Sequence, residues 1–106
     1  MIEGRLRIPG KVTAGEAFEV KVLIQHPMEN GFRHEADGRA VPVHIVDRVT
    51  CRYGGREVFS AELGTGMSAN PYLVFYARAV ESGELVVDWT DDRGEKGSAT
   101  AAVNVG

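Results

Sequence analysis

Three histidines and one methionine are the side chains of this 106-residue chain that could most readily bind a metal ion. His26, His34 and His44 could bind zinc, copper or iron as neutral imidazoles, and Met28 could add a soft sulfur ligand. Their separations match no compact zinc motif, and a loop would have to bring them all to one point. We therefore predict surface or turn histidines, no metal site and no cofactor. A small copper-binding domain built on these four residues is the alternative function.

Cys51 is the only cysteine, so no intramolecular disulfide can form. A nucleophilic role would require a nearby cation that lowers the pKa of its thiol. Arg48 and Arg52 lie close in sequence, but strand neighbours one or three positions away point to the opposite face. We expect a buried, unreactive thiol. Because the serines also lack a nucleophile motif, the sequence predicts that the chain is not an enzyme.

The composition is typical of one folded domain over residues 1–106, with 43% hydrophobic and 25% charged residues. The net charge is −3 and the cations form no stripe, which disfavours nucleic acid as a partner. No window approaches the roughly 20 apolar residues that span a bilayer. Residues 1–16 contain no apolar signal core, so we expect no membrane association and no export signal in this chain.

Alternating apolar and polar residues recur in short segments separated by glycine, a pattern that predicts β-strands. In the clearest of these, Phe18, Val20, Val22 and Ile24 share one face. The predicted strands are residues 5–8, 18–25, 45–53, 57–63, 73–80, 84–91 and 96–105. This number and spacing favour an all-β fold, an immunoglobulin-like antiparallel sandwich of about seven strands.

Turn residues suggest how some of these strands connect. Gly54-Gly55 predicts a two-residue hairpin, and the polar turns around Gly83 and Gly94 predict that the last three strands form an antiparallel meander. Asp91 and Asp92 belong to the second of these turns. Trp89 is a candidate core residue whose indole N–H needs an acceptor when buried.

Residues 26–43 do not fit the strand pattern, because they combine two prolines and two glycines with charges and few apolar side chains. Residues 64–71 form a second irregular stretch of small residues. Long loops in a small domain are commonly functional or ordered by a partner. We expect binding functions in these two segments.

The same two segments carry a family resemblance. The run His26-Pro27-Met28-Glu29 and the run Ser68-Ala69-Asn70-Pro71-Tyr72 resemble the two signatures of the SoxZ family of sulfur-oxidation proteins. The similarity continues through Asp37-Gly38, Val58-Phe59-Ser60-Ala61 and Trp89-Thr90-Asp91-Asp92-Arg93-Gly94. These matches cover nearly the whole chain in order.

The resemblance implies a non-catalytic subunit that pairs with a SoxY-like carrier, as a heterodimer or higher assembly. That carrier holds sulfur intermediates on the cysteine of a flexible C-terminal arm during thiosulfate oxidation. This chain ends at Asn104-Val105-Gly106 without such an arm, so we expect it to support the carrier. The resemblance also implies transient contact with other Sox enzymes and a periplasmic location reached by co-export with the partner.

Six residues of the two signatures are the predicted partner-binding residues. Met28 and Tyr72 would be apolar anchors, and the prolines would lower the ordering cost of the loops. The alternative is that both runs are turns that hold the sandwich together. The six residues are His26, Pro27, Met28, Asn70, Pro71 and Tyr72.

Overall fold

A computed structural model describes all 106 residues as two antiparallel sheets packed face to face. The three-stranded sheet has the order β1-β2-β5, and the four-stranded sheet has the order β4-β3-β6-β7. The predicted immunoglobulin-like sandwich is confirmed, with every strand end within two residues of its predicted position. The chain forms no helix with the length and apolar character needed to cross a membrane. The strands are β1 (Gly4–Arg7), β2 (Ala17–Ile24), β3 (Val46–Tyr53), β4 (Arg56–Glu62), β5 (Tyr72–Arg78), β6 (Gly83–Asp91) and β7 (Lys96–Val103).

The core lies between the two sheets and is built from alternate residues of each strand. Val20 and Val22 of β2 and Val49 and Cys51 of β3 belong to this core, and all four are fully buried. This arrangement follows from the period of two, which gives each strand one inward face. The hairpin at Gly54-Gly55 is also confirmed, since both residues have positive φ angles, 60° and 82°.

The predicted meander of the last three strands is wrong in its first member. β5 pairs with β2, whereas β6 pairs with β7 and β3. The chain crosses between the sheets after β5, and the Tyr53 hydroxyl accepts hydrogen bonds there from the backbone N–H groups of Val80 (3.1 Å) and Glu81 (3.2 Å). Turn composition does not separate a hairpin from a crossover, because glycine and polar residues serve both.

Trp89 is buried in the core, as predicted, and its indole N–H donates to the Ile2 carbonyl at 3.0 Å. Two glycines leave room for the ring. A Cβ on Gly97 would lie 2.3 Å from the indole nitrogen and 2.0 Å from the Ile2 oxygen, and one on Gly4 would lie 2.6 Å from the ring. These contacts hold the N-terminal segment against the four-stranded sheet.

Replacing Gly97 with alanine should therefore destabilise the protein. Because the new methyl group meets a rigid ring and a backbone carbonyl, we expect a loss of about 1–3 kcal/mol in the free energy of unfolding, measured by urea titration. Gly66→Ala is the matched control, since its Cβ would meet nothing within 4 Å, and it should change stability by less than about 0.5 kcal/mol. Equal urea midpoints for the two variants would contradict the close packing of Trp89.

Candidate functional site

Two histidines share one buried carboxylate at one end of the sandwich. His26 follows β2, His44 precedes β3, and Asp91 is the last residue of β6. The distance from Asp91 Oδ2 to His26 Nε2 is 3.3 Å, and that to His44 Nε2 is 2.9 Å. The side chains of His26, Asp91 and His44 are 3%, 0% and 19% exposed. We call these three residues the His–Asp–His node.

The second oxygen of the carboxylate is also satisfied. Asp91 Oδ1 accepts hydrogen bonds from the backbone N–H groups of Arg93 and Glu95, each at 2.9 Å, and so closes the turn that was predicted here. Burial disfavours the charged form, but these bonds and those from the two histidines outweigh it and lower the pKa of Asp91 to about 2. The node therefore contains a carboxylate anion at neutral pH.

The hydrogen bonds define the tautomer of His26. The backbone N–H of Met28 donates to His26 Nδ1 at 3.1 Å, so this nitrogen must carry a lone pair. His26 is therefore neutral, and its Nε2–H donates to Asp91. Met28 has a φ angle of 50°, which is unusual for a residue other than glycine, and its buried sulfur accepts a hydrogen bond from Val46 N–H at 3.2 Å.

The same tautomer decides how well the node suits a metal ion. Its three polar atoms lie within 4.8 Å of one another, a spacing compatible with a shared ion. A metal on His26 Nε2 would move the ring hydrogen to Nδ1 and break the bond from Met28. The geometry therefore suits a hydrogen-bond network better than a metal centre.

The four residues of the copper alternative are not brought together as a ligand set. The Met28 sulfur is engaged with the start of β3, and His34 lies exposed in a small hairpin, where it pairs with Ala40. The prediction of surface or turn histidines holds for His34. It is wrong for His26 and His44, because an inward-facing carboxylate draws both rings toward the core.

The second signature segment lies directly against the first. His26 N–H donates to Asn70 Oδ1 at 3.1 Å, and Asn70 N–H donates to the His26 carbonyl at 2.8 Å. Asn70 has a φ angle of 55°, a conformation that asparagine tolerates better than most residues. Ile24 N–H adds a bond of 3.0 Å to the Pro71 carbonyl. The structure thus brings the two predicted partner-binding segments together.

The six predicted partner-binding residues differ in their access to solvent. His26, Met28 and Pro71 are buried, whereas Pro27, Asn70 and Tyr72 are exposed. Contact with a partner could come directly only from the exposed three. The buried three would act by shaping the two loops.

Asp91 is the node residue that the sequence analysis assigned only to a turn. One signal does point to its burial, because Leu85, Val87 and Trp89 alternate on the core face of β6 and Asp91 continues that series. A carboxylate at an inward position needs hydrogen-bond donors. The sequence does not show which donors it meets.

Cys51 is fully buried, as predicted. Burial and the nearby Asp88 carboxylate raise the pKa of its thiol to about 11. The thiol is thus protonated at neutral pH and shielded from solvent, two conditions that oppose nucleophilic reactivity.

Comparison with known proteins gives one family. The model of the family described as Sulphur oxidation protein SoxZ matches residues 6–102. No curated protein matches the chain at a significant level.

Several solved structures share the fold. A superoxide reductase (neelaredoxin) from Ignicoccus hospitalis has a TM-score of 0.72 at 19% identity, over 99% of this chain and 82% of its own. The sulfur carrier protein SoxY from Chlorobium limicola f thiosulfatophilum has a TM-score of 0.67 at 17% identity, over 97% of this chain and 78% of its own. At these identities the likeness concerns the fold alone.

The shared carboxylate should make stability depend on pH in the acid range. Since the folded pKa of Asp91 is about 2 and its ordinary value is 3.8, the stabilisation is complete above about pH 4 and is lost as the pH falls toward 2. Asp91→Asn should lower the free energy of unfolding at pH 7 by about 2–3 kcal/mol and flatten this acid dependence. Chemical unfolding at several pH values measures both effects.

The control for this experiment is Asp37→Asn, an exposed carboxylate whose only ion pair is with Arg39. It should keep the acid dependence of the unaltered protein and cost little stability, because exposed pairs contribute little. If Asp91→Asn retained the same loss of stability between pH 4 and pH 2, the node would not be its source.

Proposed function

This chain belongs to the Sulphur oxidation protein SoxZ family, and we propose that it is the non-catalytic subunit that supports a SoxY-like sulfur carrier. The observation that carries the proposal is the family match over residues 6–102, which includes both signature segments and the node. The subunit would hold a carrier that bears sulfur intermediates on the cysteine of its flexible arm during thiosulfate oxidation.

The chemistry of the chain supports a non-catalytic role. A covalent sulfur carrier needs an accessible thiolate, and the thiol of Cys51 is buried with its pKa raised to about 11. General acid–base catalysis needs a group that can exchange protons with a substrate. In the node, however, His26 is held as a neutral donor to Asp91 and is closed off from solvent.

The rigidity of the domain supports a scaffolding role. A mobile arm can visit several enzymes only if its base has a fixed position, because each extra degree of freedom adds to the cost of docking. The loops around the node are bonded to three strands. The Met28 sulfur accepts from Val46 of β3, the Pro71 carbonyl accepts from Ile24 of β2, and His44 is bonded to Asp91 of β6. A second rigid sandwich of this kind would fix the position of the carrier domain and add docking surface.

The partner in this proposal is a carrier with the same fold, forming a heterodimer or a higher assembly. A protein described as the sulfur carrier protein SoxY shares the fold of this chain over 97% of its length. The export signal of the carrier would direct both chains to the periplasm. There the pair would make transient contacts with other Sox enzymes. Pro27, Asn70 and Tyr72 would contribute direct contacts at the signature loops.

Co-expression with the SoxY-like chain of the same source tests the pairing. We expect a 1:1 complex, or a multiple of it, in size-exclusion chromatography with mass determination. Two separate peaks, with this chain folded on its own, would contradict the scaffold role. Titration of the separate chain with copper would then test the alternative function.

Labelling of Cys51 tests the non-catalytic assignment. At pH 8 a thiol of pKa about 11 is ionised in roughly one molecule in a thousand, and burial blocks the reagent as well. We expect no reaction with a maleimide in the folded protein and complete reaction after unfolding in urea, as measured by mass spectrometry. Rapid labelling without denaturant would favour an enzyme or carrier that uses Cys51.

A further inference from the structure

We propose that the solvent-facing side of the three-stranded sheet is the surface that docks the carrier, and that the carrier presents apolar side chains among carboxylates there. This inference rests on the proposed function and adds the location and the chemistry of the interface. We call this surface the β5 face. Its members are Arg5 and Arg7 of β1, Glu19, Lys21 and Leu23 of β2, and Tyr72, Val74, Tyr76 and Arg78 of β5.

Large apolar side chains are exposed in a row on this face. Tyr72, Val74 and Tyr76 occupy successive outward positions of β5 and are 55%, 46% and 63% exposed. Leu23, which breaks the polar pattern of β2, lies next to Tyr72 and continues the apolar area. Tyrosine at the centre of a surface is typical of binding sites, because it buries a large area with little loss of conformational freedom.

The opposite side of the sandwich has a different composition. Outward residues of β3, β6 and β7 are mostly charged or small, and Val58 on the edge strand β4 is the one large exposed apolar side chain of this four-stranded sheet. Two of its arginines are paired, Arg48 with Glu62 and Arg52 with Asp88. That surface is typical of a solvated sheet.

The charge of the β5 face is positive although the chain as a whole is negative. Four cations and one carboxylate lie on it, and the carboxylate, Glu19, is already paired with Lys21 at 3.1 Å. Arg5 and Arg7 have no carboxylate within 4.0 Å. These two guanidinium groups are available to carboxylates of another protein, for which arginine has a matching two-pronged geometry.

The edge of the same sheet is open as well. β5 has β2 on one side and no strand on the other, and its pairing with β2 runs over seven residues without a bulge. It carries neither proline nor lysine, the residues that commonly protect an edge. The other edge at this flank, β4, is interrupted by a register shift opposite Cys51 and Arg52. β5 is therefore the strand best suited to contact a second sandwich.

The positive charge of the β5 face favours an acidic partner over a second copy of this chain. An acidic protein surface would neutralise Arg5 and Arg7 at the border while its apolar centre covers Tyr72 and Tyr76. A second copy of this chain would instead place arginine against arginine on the β5 face, which is unfavourable. The location also agrees with the signature loops, because Tyr72 is both the first residue of β5 and the last residue of the second signature.

The test compares two double variants with the same change in net charge. Arg5→Glu/Arg7→Glu reverses the unpaired cations of the β5 face, and Arg48→Glu/Lys96→Glu reverses two cations on the opposite face. The dissociation constant of each variant for the SoxY-like chain is measured by isothermal titration calorimetry at low and moderate salt. We expect the first variant to bind at least about 10-fold more weakly and to lose its salt dependence, and the second to stay within about 3-fold.

A single variant, Tyr76→Ala, tests the apolar part independently of charge and should also weaken binding by about 10-fold or more. All variants should keep the melting temperature of the unaltered chain, because the altered side chains are exposed. Equal affinities for the two double variants would overturn the β5 face while leaving the pairing intact. Absence of any complex with the unaltered chain would overturn the pairing and this inference together.

Discussion

The arrangement of the loops at one end of the sandwich depends on the buried carboxylate of Asp91. One buried anion accepts four hydrogen bonds, two from imidazole rings and two from the turn after β6. A buried charge with so many donors is stable only while all of them stay in place, since a missing donor leaves the anion uncompensated. The segment after β2, the segment before β3 and the turn after β6 are thereby held together, and the Asn70 bonds connect the start of β5 to the same end.

This end of the molecule explains why the two signature runs contain the residues they do. His26 supplies an acceptor to Met28 and a donor to Asp91, Met28 adopts a left-handed conformation that aims its sulfur at Val46, and Asn70 closes on the His26 backbone. Most of both runs therefore serves the structure, as one of the two initial interpretations held. Tyr72 differs, because its side chain leaves the node and begins the apolar row of the β5 face. The structural interpretation thus describes the buried residues of the two runs, and the proposed binding role concerns Tyr72.

The fold alone does not separate the possible functions. Proteins described as superoxide reductases and as a sulfur carrier have the same sandwich at less than 20% identity. In this chain the difference comes from its sites. Both imidazoles donate a hydrogen bond to one carboxylate, and the cysteine is buried. The exposed features are two arginines and a row of tyrosine and valine side chains on β5. These features are the ones on which the proposed non-catalytic role rests.

The sequence by itself determined the seven strands, the glycine hairpin and the burial of Trp89 and Cys51, because period-2 patterning and turn residues act over a few neighbouring positions. The sequence was also sufficient to identify the family, because the signatures are contiguous runs of residues. The partner of β5 and the assembly of the node were decided only by the tertiary structure. His26 and Asp91 are 65 positions apart, and no local pattern states which inward carboxylate a loop histidine will meet. The β5 face was hidden for the same reason, since β5 joins β1 and β2 only when the chain returns from the four-stranded sheet between Glu62 and Tyr72.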